Sequence, residues 1–230
     1  MFKIASSVFD NRGEIPSSKQ FRLMVAIASL VVISLLTSAG GTPIQHSISN
    51  PWEGFIWGIA EPVIGLDKLA GVVVVGILSA ILSSGIWITV AFVLAALFGQ
   101  IIHLSALNIL DTLVSITTVN IAIAICTIIF GSILILFQQK SWLICTILAV
   151  VAGLSQGYVD SQVIINVDVV TTLTYIVGVT LTQTVLILSA REISTKFSKK
   201  AVNQTINRSI RWVGLTFCAI GIVFLGNVLI

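Results

Sequence analysis

The residues best suited to chemistry are three ionisable side chains beside a long apolar run. Glu61, Asp67 and Lys68 stand at the mouth of the run from Leu66 to Leu82, which has no other charged residue. Ionisable groups are costly and rare in membrane-spanning segments, so they mark candidate sites for ions. The two carboxylates could bind a cation or a proton, and the Lys68 ammonium could gate or replace the ion.

A second polar group follows a later apolar run. Gln156 and Asp160 belong to the stretch Ser155-Gln156-Gly157-Tyr158-Val159-Asp160, which we place at the outer end of its span. Gln183 lies within a further run and is the only strongly polar side chain that we expect deep in the bilayer. Its amide must find a partner there, which leaves two roles open: a hydrogen bond between helices, or a ligand on a permeation path.

The composition excludes a soluble globule. Of the 230 residues, 57% are apolar and 9% are charged, and the mean hydropathy is +1.09. That leaves too little polar surface to cover a water-soluble fold. Apolar runs of 17 to 22 residues recur along the chain, each long enough to cross a bilayer core of about 30 Å as a helix. The fold class is therefore an all-α, polytopic transmembrane bundle.

Seven helices are expected in a single transmembrane domain at residues 23–230, after a polar tail at 1–22. They lie near residues 23–39, 66–82, 86–102, 119–137, 141–155, 169–190 and 210–230. Small residues at 37–41 resemble a signal-peptidase site, but the tail before this apolar run is long for a signal peptide, so we expect the first helix to be retained. Residues 42–65, rich in proline and tryptophan, are expected to lie along the membrane surface as a short re-entrant or amphipathic piece.

The charges predict an orientation, because lysine and arginine are retained in cytoplasmic loops. Seven spans with a cytoplasmic N-terminus put eleven of the twelve basic residues inside, and Lys68 is the exception. Six of the nine acidic residues fall on the opposite face, together with His46 and His103. The C-terminus is therefore predicted outside, and the two histidines are expected at the outer surface.

Other classes of function find no support in the sequence. There is no Gly-rich phosphate loop, no pairing of a nucleophile with a base, and no CxxC motif among the three cysteines. The basic loop at 191–211 has no interleaved aromatic residues and is expected against the cytoplasmic leaflet, so nucleic-acid binding is not predicted. Small residues at four-residue spacing, such as Gly76 and Ala80 or Gly99 and Ala95, predict close helix packing. We predict that the protein is not an enzyme, and no cofactor is assigned.

The segment around Glu61 resembles a signature of the HupE/UreJ family, membrane proteins accessory to hydrogenase and urease that are thought to move nickel or cobalt. The family opens a helix with His-Pro-x-x-Gly-x-Asp-His. Pro62, Gly65 and Asp67 match, whereas Glu61 and Lys68 stand at the histidine positions. The resemblance covers about residues 55–230.

The later segments resemble the family in the same partial way. In its second signature, His-Gly-x-x-His, Gly157 matches while Gln156 and Asp160 replace the histidines. Ile187 stands where a later helix of the family usually has another histidine. The resemblance therefore implies a site at Glu61, Asp67, Gln156 and Asp160 that has lost its nitrogen ligands.

The lost histidines change the chemistry. Imidazole suits nickel, cobalt and zinc, while carboxylate and carbonyl oxygens suit magnesium, calcium and manganese, so nickel transport does not carry over. Lys68 would repel a divalent metal, or would pair with Asp67 or Asp160. Three interpretations remain: Asp67 caps its helix while Lys68 reaches the headgroups and Asp160 is solvated; the group is a structural ion pair; or the carboxylates gather a metal ion or proton and pass it inward.

Two functions from different classes follow. The first is a small-cation transporter whose oxygen ligands are Glu61, Asp67, Gln156 and Asp160, with Lys68 gating or replacing the ion. The second is a structural or assembly subunit of a larger membrane complex. The expected partners are the lipid bilayer and either other membrane subunits or further copies of the chain. The expected location is a bacterial plasma membrane or an internal, thylakoid-like membrane.

Overall fold

The computed structural model describes residue 29 and residues 48–82, 84–105, 115–136, 142–164, 167–200 and 203–229. The side chains of 197–200 and 203–209 are not described. The predicted tail, nearly all of the predicted first helix and His46 lie outside these residues. Within them the fold is all-helical, as predicted.

Seven α-helices and one 3₁₀ turn make up the described part of the chain. They are α1 Pro51–Ala60, α2 Leu66–Ile81, α3 Gly85–Ser105, α4 Ile116–Leu136, α5 Trp142–Asp160, the turn Ser161–Ile164, α6 Val169–Lys200 and α7 Asn203–Leu229. Each predicted helix after the first is present.

Five of the described helices are long and apolar enough to cross a membrane. These segments are Gly85–Ser105, Ile116–Leu136, Trp142–Ile164, Val169–Lys196 and Ile210–Leu229. Their outward faces carry large apolar side chains, such as Leu94 and Phe98 on α3 and Val177 and Leu181 on α6. Such faces suit lipid rather than water, so the chain is an integral membrane protein.

Helix α1 differs from the surface segment expected for residues 42–65. Asn50 caps it by accepting a hydrogen bond from the Glu53 amide, 2.9 Å away. Gly54 faces the Thr171 carbonyl and Gly58 faces the Tyr175 carbonyl, so α1 lies directly on α6. Sequence reasoning placed this segment on the surface because its prolines and aromatic residues are also typical of interfacial loops.

Helix α2 continues along α6 in the same direction as α1. Gly76 on α2 contacts Ile187 and Ala190, which are further along α6 than the residues that α1 contacts. Helices α1 and α2 are therefore two parts of one interrupted segment that runs beside α6. The predicted small-residue packing at Gly76 is confirmed.

The interruption between α1 and α2 has a local cause. Pro62 has no backbone N–H to donate, and a proline ring is poorly tolerated inside a helix. Gly65 has a φ of 135°, a conformation that residues with a Cβ rarely adopt. The chain turns through Glu61–Gly65, with the Val63 and Ile64 amides donating to the Ala60 carbonyl, and then starts α2.

Helices α3 and α5 also run in the same direction. Gly153 lies against the Phe92 carbonyl and Gly157 against the Ala96 carbonyl, so advancing along one helix advances along the other. Helix α7 runs opposite to α4, because Gly214 meets Gly131 while Gly221 meets Ala124. The relative directions agree with the alternation of spans predicted from the charges.

Candidate functional site

The ammonium of Lys68 forms the centre of the candidate site. It lies 3.0 Å from Oδ1 of Asp160 on α5, and it donates a short hydrogen bond to Oε1 of Glu61 at the end of α1. Asp160 is fully buried, and both Glu61 and the Lys68 side chain are mostly buried. The site thus joins the three segments that carry these residues.

The second carboxylate oxygen of Asp160 accepts a hydrogen bond. Gln183 on α6 is buried and donates from Nε2 to Oδ2 of Asp160 over 3.0 Å. The Tyr175 hydroxyl donates to the backbone carbonyl of Asp160 over 2.7 Å. Asp160 therefore ties α5 to both α2 and α6, and Gln183 makes a hydrogen bond between helices, the first of the two roles left open for it.

The remaining predicted ligands lie next to this group. Gln156 is buried one turn before Asp160, and its Nε2 lies 3.5 Å from the backbone carbonyl of Lys68. Asp67 lies in the first turn of α2, where a carboxylate complements the helix dipole. Its charge interacts with those of Lys68 and Glu61, but among the described residues its carboxylate makes none of the ion pairs within 4 Å.

The depth of the site differs from the expected position at the outer end of two spans. Gln183 is 14 residues from Val169 and 13 from Lys196, so it is near the middle of this candidate span of α6. The Asp160 carboxylate, bonded to Gln183, reaches this level, although Asp160 itself is only four residues from the end of its own candidate span at Ile164. Sequence reasoning ended the spans at the charged residues, whereas pairing with Lys68 lets Asp160 stay inside.

The interpretation with a solvated Asp160 and an outward-reaching Lys68 is therefore wrong for both residues. Asp160 is 0% exposed, and the Lys68 ammonium points at two carboxylates rather than at headgroups. The predicted pairing of Lys68 with Asp160 is confirmed. Pairing with Glu61 was not foreseen, because Glu61 precedes α2 and only the turn at 61–65 brings it back to Lys68.

Two further predictions, for His103 and Gln183, are also wrong. His103 is buried against the Tyr158 ring, with ring centres 4.4 Å apart, and does not lie at the surface. Gln183 is not the only buried amide, because Gln100 and Gln156 are also inside. Gln100 lies inside the predicted helix at 86–102, and the sequence analysis did not single it out.

The residues that stand at histidine positions of the family now have a defined environment. Ile187 is fully buried in the apolar core near α2. Among the described residues, no group of three or more His, Cys, Asp or Glu side chains is placed to hold a metal ion. The assignment of metal ligands to Glu61, Asp67, Gln156 and Asp160 stays a prediction.

Comparison with known proteins identifies the family of the chain. The family model described as HupE / UreJ protein matches residues 30–224. No curated protein and no solved structure gives a match. Because the matched region covers most of the sequence and includes the whole interrupted segment, the chain belongs to the HupE/UreJ family.

Proposed function

We propose that this protein is a membrane transporter for a small cation, with a histidine-free site at the break between α1 and α2. The observation that supports the proposal is the Lys68 ammonium, which lies between the carboxylates of Glu61 and Asp160 inside the bundle. These three residues occupy positions where the family signatures have histidines. The ammonium group of Lys68 is itself the cation between these two carboxylates.

The charge of the site favours a further cation. Glu61 and Asp160 with Lys68 give a formal sum of −2 + 1 = −1, and Asp67 brings it to −2 when ionised. Buried charge that lacks a partner is costly, so a mobile cation would be stabilised beside the carboxylates. Interrupted helices are common ion-binding sites in transporters, because the backbone groups that the interruption leaves without helical partners can also bind the ion.

The donor atoms narrow the class of cation. All the candidate ligands offer oxygen, which suits a proton or a hard divalent ion such as Mn²⁺ or Mg²⁺ better than nickel. The ammonium of Lys68 occupies the space between Glu61 and Asp160. A divalent ion would therefore bind only when Lys68 moves away, so in this proposal Lys68 acts as the gate.

The test is cation flux into liposomes that contain the purified protein, with separate dyes for protons, Mn²⁺ and Ni²⁺. We expect flux of protons or Mn²⁺ and none of Ni²⁺. Asp160→Asn should lower the flux at least tenfold. Asp168→Asn is the matched control, since Asp168 is exposed and its carboxylate accepts a hydrogen bond from the Val170 amide. Correctly folded protein that moves none of these ions would contradict the proposal.

A second candidate is a structural or assembly subunit that transports nothing. It is favoured by the same contacts, because Lys68 forms an ion pair with one carboxylate oxygen of Asp160 and Gln183 donates a hydrogen bond to the other. Native electrophoresis of membranes solubilised in a mild detergent separates the two functions. A transporter should migrate alone or as a small homo-oligomer, whereas a subunit should migrate with other proteins.

The location that we propose is a bacterial plasma membrane or an internal, thylakoid-like membrane. Fractionation of the membranes, followed by detection of an epitope tag, decides between them. The lipid bilayer is the partner common to both proposed functions.

A further inference from the structure

Several polar atoms near the ion pair are buried without a partner. Gln100 on α3 is 0% exposed, and within the described part of the chain neither Nε2 nor Oε1 has a hydrogen-bond partner. The same holds for Oε1 of Gln183 and Oγ1 of Thr180 on α6. A buried polar atom without a partner loses its hydrogen bonds to water and gains none in return, so four such atoms need an explanation.

The packing of α3 on α5 puts Gln100 at the depth of Asp160. Gly153 lies beside Phe92 and Gly157 beside Ala96, so each step of four residues on one helix matches four on the other. The next step brings Gln100 level with residues 160 and 161. Helix α3 also packs against α6 and against the 3₁₀ turn that follows Asp160.

Thr180 and Gln183 on α6 lie in the same region as Gln100. Gln183 donates to Asp160 with its Nε2, which leaves its Oε1 to face another group. Thr180 is three residues earlier and so lies on the same side of the helix as Gln183. Its hydroxyl makes no bond to its own helix, unlike the Thr184 hydroxyl, which donates to the Thr180 carbonyl.

We propose that Gln100, Thr180 and Gln183 line an internal water site between α3, α5 and α6, and that a small cation reaches the Lys68 ion pair through it. The second part rests on the proposed transport function, and the first does not. Water fits these groups because it both donates and accepts, and a buried water usually makes about three hydrogen bonds. The amide and hydroxyl oxygens also suit a partly hydrated hard cation.

Thiol labelling tests the water site. In a protein with Cys126, Cys145 and Cys218 replaced by alanine, Gln100→Cys is treated with a small water-soluble methanethiosulfonate reagent. Ile88→Cys is the control, because Ile88 is equally buried on the same helix but belongs to the apolar core. We expect Gln100→Cys to react at least tenfold faster. Equal rates would overturn the water site.

Thr180→Cys repeats the test at a second position, in case Gln100→Cys does not elute as folded protein in size-exclusion chromatography. It too should react at least tenfold faster than Ile88→Cys. Rates no faster than that of the control at the folded positions would again exclude water there.

The route is tested separately, by flux through Gln100→Leu in liposomes. Leucine cannot hydrogen-bond to water, so we expect the flux to fall at least tenfold below that of the unmodified protein. Unchanged flux would overturn the route. Fast labelling in a protein that carries no cation at all would support the water site while contradicting the proposed transport function, so the two failures are distinguishable.

Discussion

Lys68 stands at a histidine position of the family signature, and its contacts explain how the chain accommodates a lysine there. A lysine inside a membrane protein needs opposite charge close by. Glu61 and Asp160 supply that charge from two different helices, and both stand where the family has histidines. The three replacements therefore fit one another chemically.

Removal of the ammonium should be strongly destabilising. In Lys68→Met, Glu61 and Asp160 stay buried without a cation, and breaking a buried pair in this way costs about 3–5 kcal/mol. Lys196→Met is the control, because Lys196 pairs with Glu192 on an exposed face, where a pair contributes at most about 1 kcal/mol. The free energy of unfolding, measured by denaturant titration in mixed micelles, should separate the two variants.

A rescue distinguishes lost charge from lost packing. Glu61→Gln and Asp160→Asn, added to Lys68→Met, remove the uncompensated charge and should recover most of the stability. If the triple variant is as unstable as Lys68→Met, the ion pair does not explain the loss.

The hydrogen bond from Gln183 predicts a smaller effect. Gln183→Leu removes the donor to Oδ2 of Asp160, and a bond to a charged group contributes about 1.5–3 kcal/mol. Thr184→Val is the control, because the Thr184 hydroxyl donates its hydrogen bond to a carbonyl of its own helix. An equal change in the free energy of unfolding for both variants would argue against a role of Gln183 in joining α5 and α6.

At the scale of elements, the interrupted segment α1–α2 is what brings the charges together. Had the helix continued through residues 61–65, Glu61 and Lys68 would lie seven residues and about 10 Å apart along its axis. The turn with Pro62 and Gly65 lets Glu61 reach the Lys68 ammonium instead. Contact with α6 holds both halves of the segment in line.

Gly58→Ala tests that contact. A Cβ at Gly58 would lie 2.3 Å from the Tyr175 carbonyl oxygen. Because the atoms that it would meet belong to the backbone of α6, they cannot easily move away. We expect a loss of about 1–3 kcal/mol in the free energy of unfolding. Gly226→Ala on α7 meets nothing within 4 Å and should be neutral or stabilising by up to about 1 kcal/mol. Equal effects would mean that α1 does not pack on α6 as described.

For the whole molecule, the orientation of the chain in the membrane can be tested directly. Asp168 directly precedes α6 and Lys196 lies 28 residues further along the chain, a helical length of about 42 Å that exceeds a bilayer core of about 30 Å. The charge distribution predicts Asp168 outside and Lys196 in the cytoplasm. In the cysteine-free protein, a membrane-impermeant maleimide applied to intact cells should label Asp168→Cys and not Lys196→Cys. The reverse pattern would invert the predicted topology.

The sequence by itself determined the membrane class and the helices after residue 65, and it singled out Lys68, Asp160 and Gln183, which the structure brings into contact. These follow from apolar runs long enough to cross a bilayer and from the scarcity of charge within them, which are properties of the chain read locally. The relative directions of the helices followed from the number of spans alone.

Only the tertiary structure decided how deep the site lies and which partners its charges have. Hydropathy treats each charged residue as a solvated end of a span, but Asp160 is kept inside by Lys68 from α2 and Gln183 from α6, 92 and 23 residues away along the chain. The burial of Gln100 and the packing of α1 on α6 depend in the same way on neighbours distant in sequence. Pairing between distant residues cancels the cost of burying a charge, and no local pattern records it.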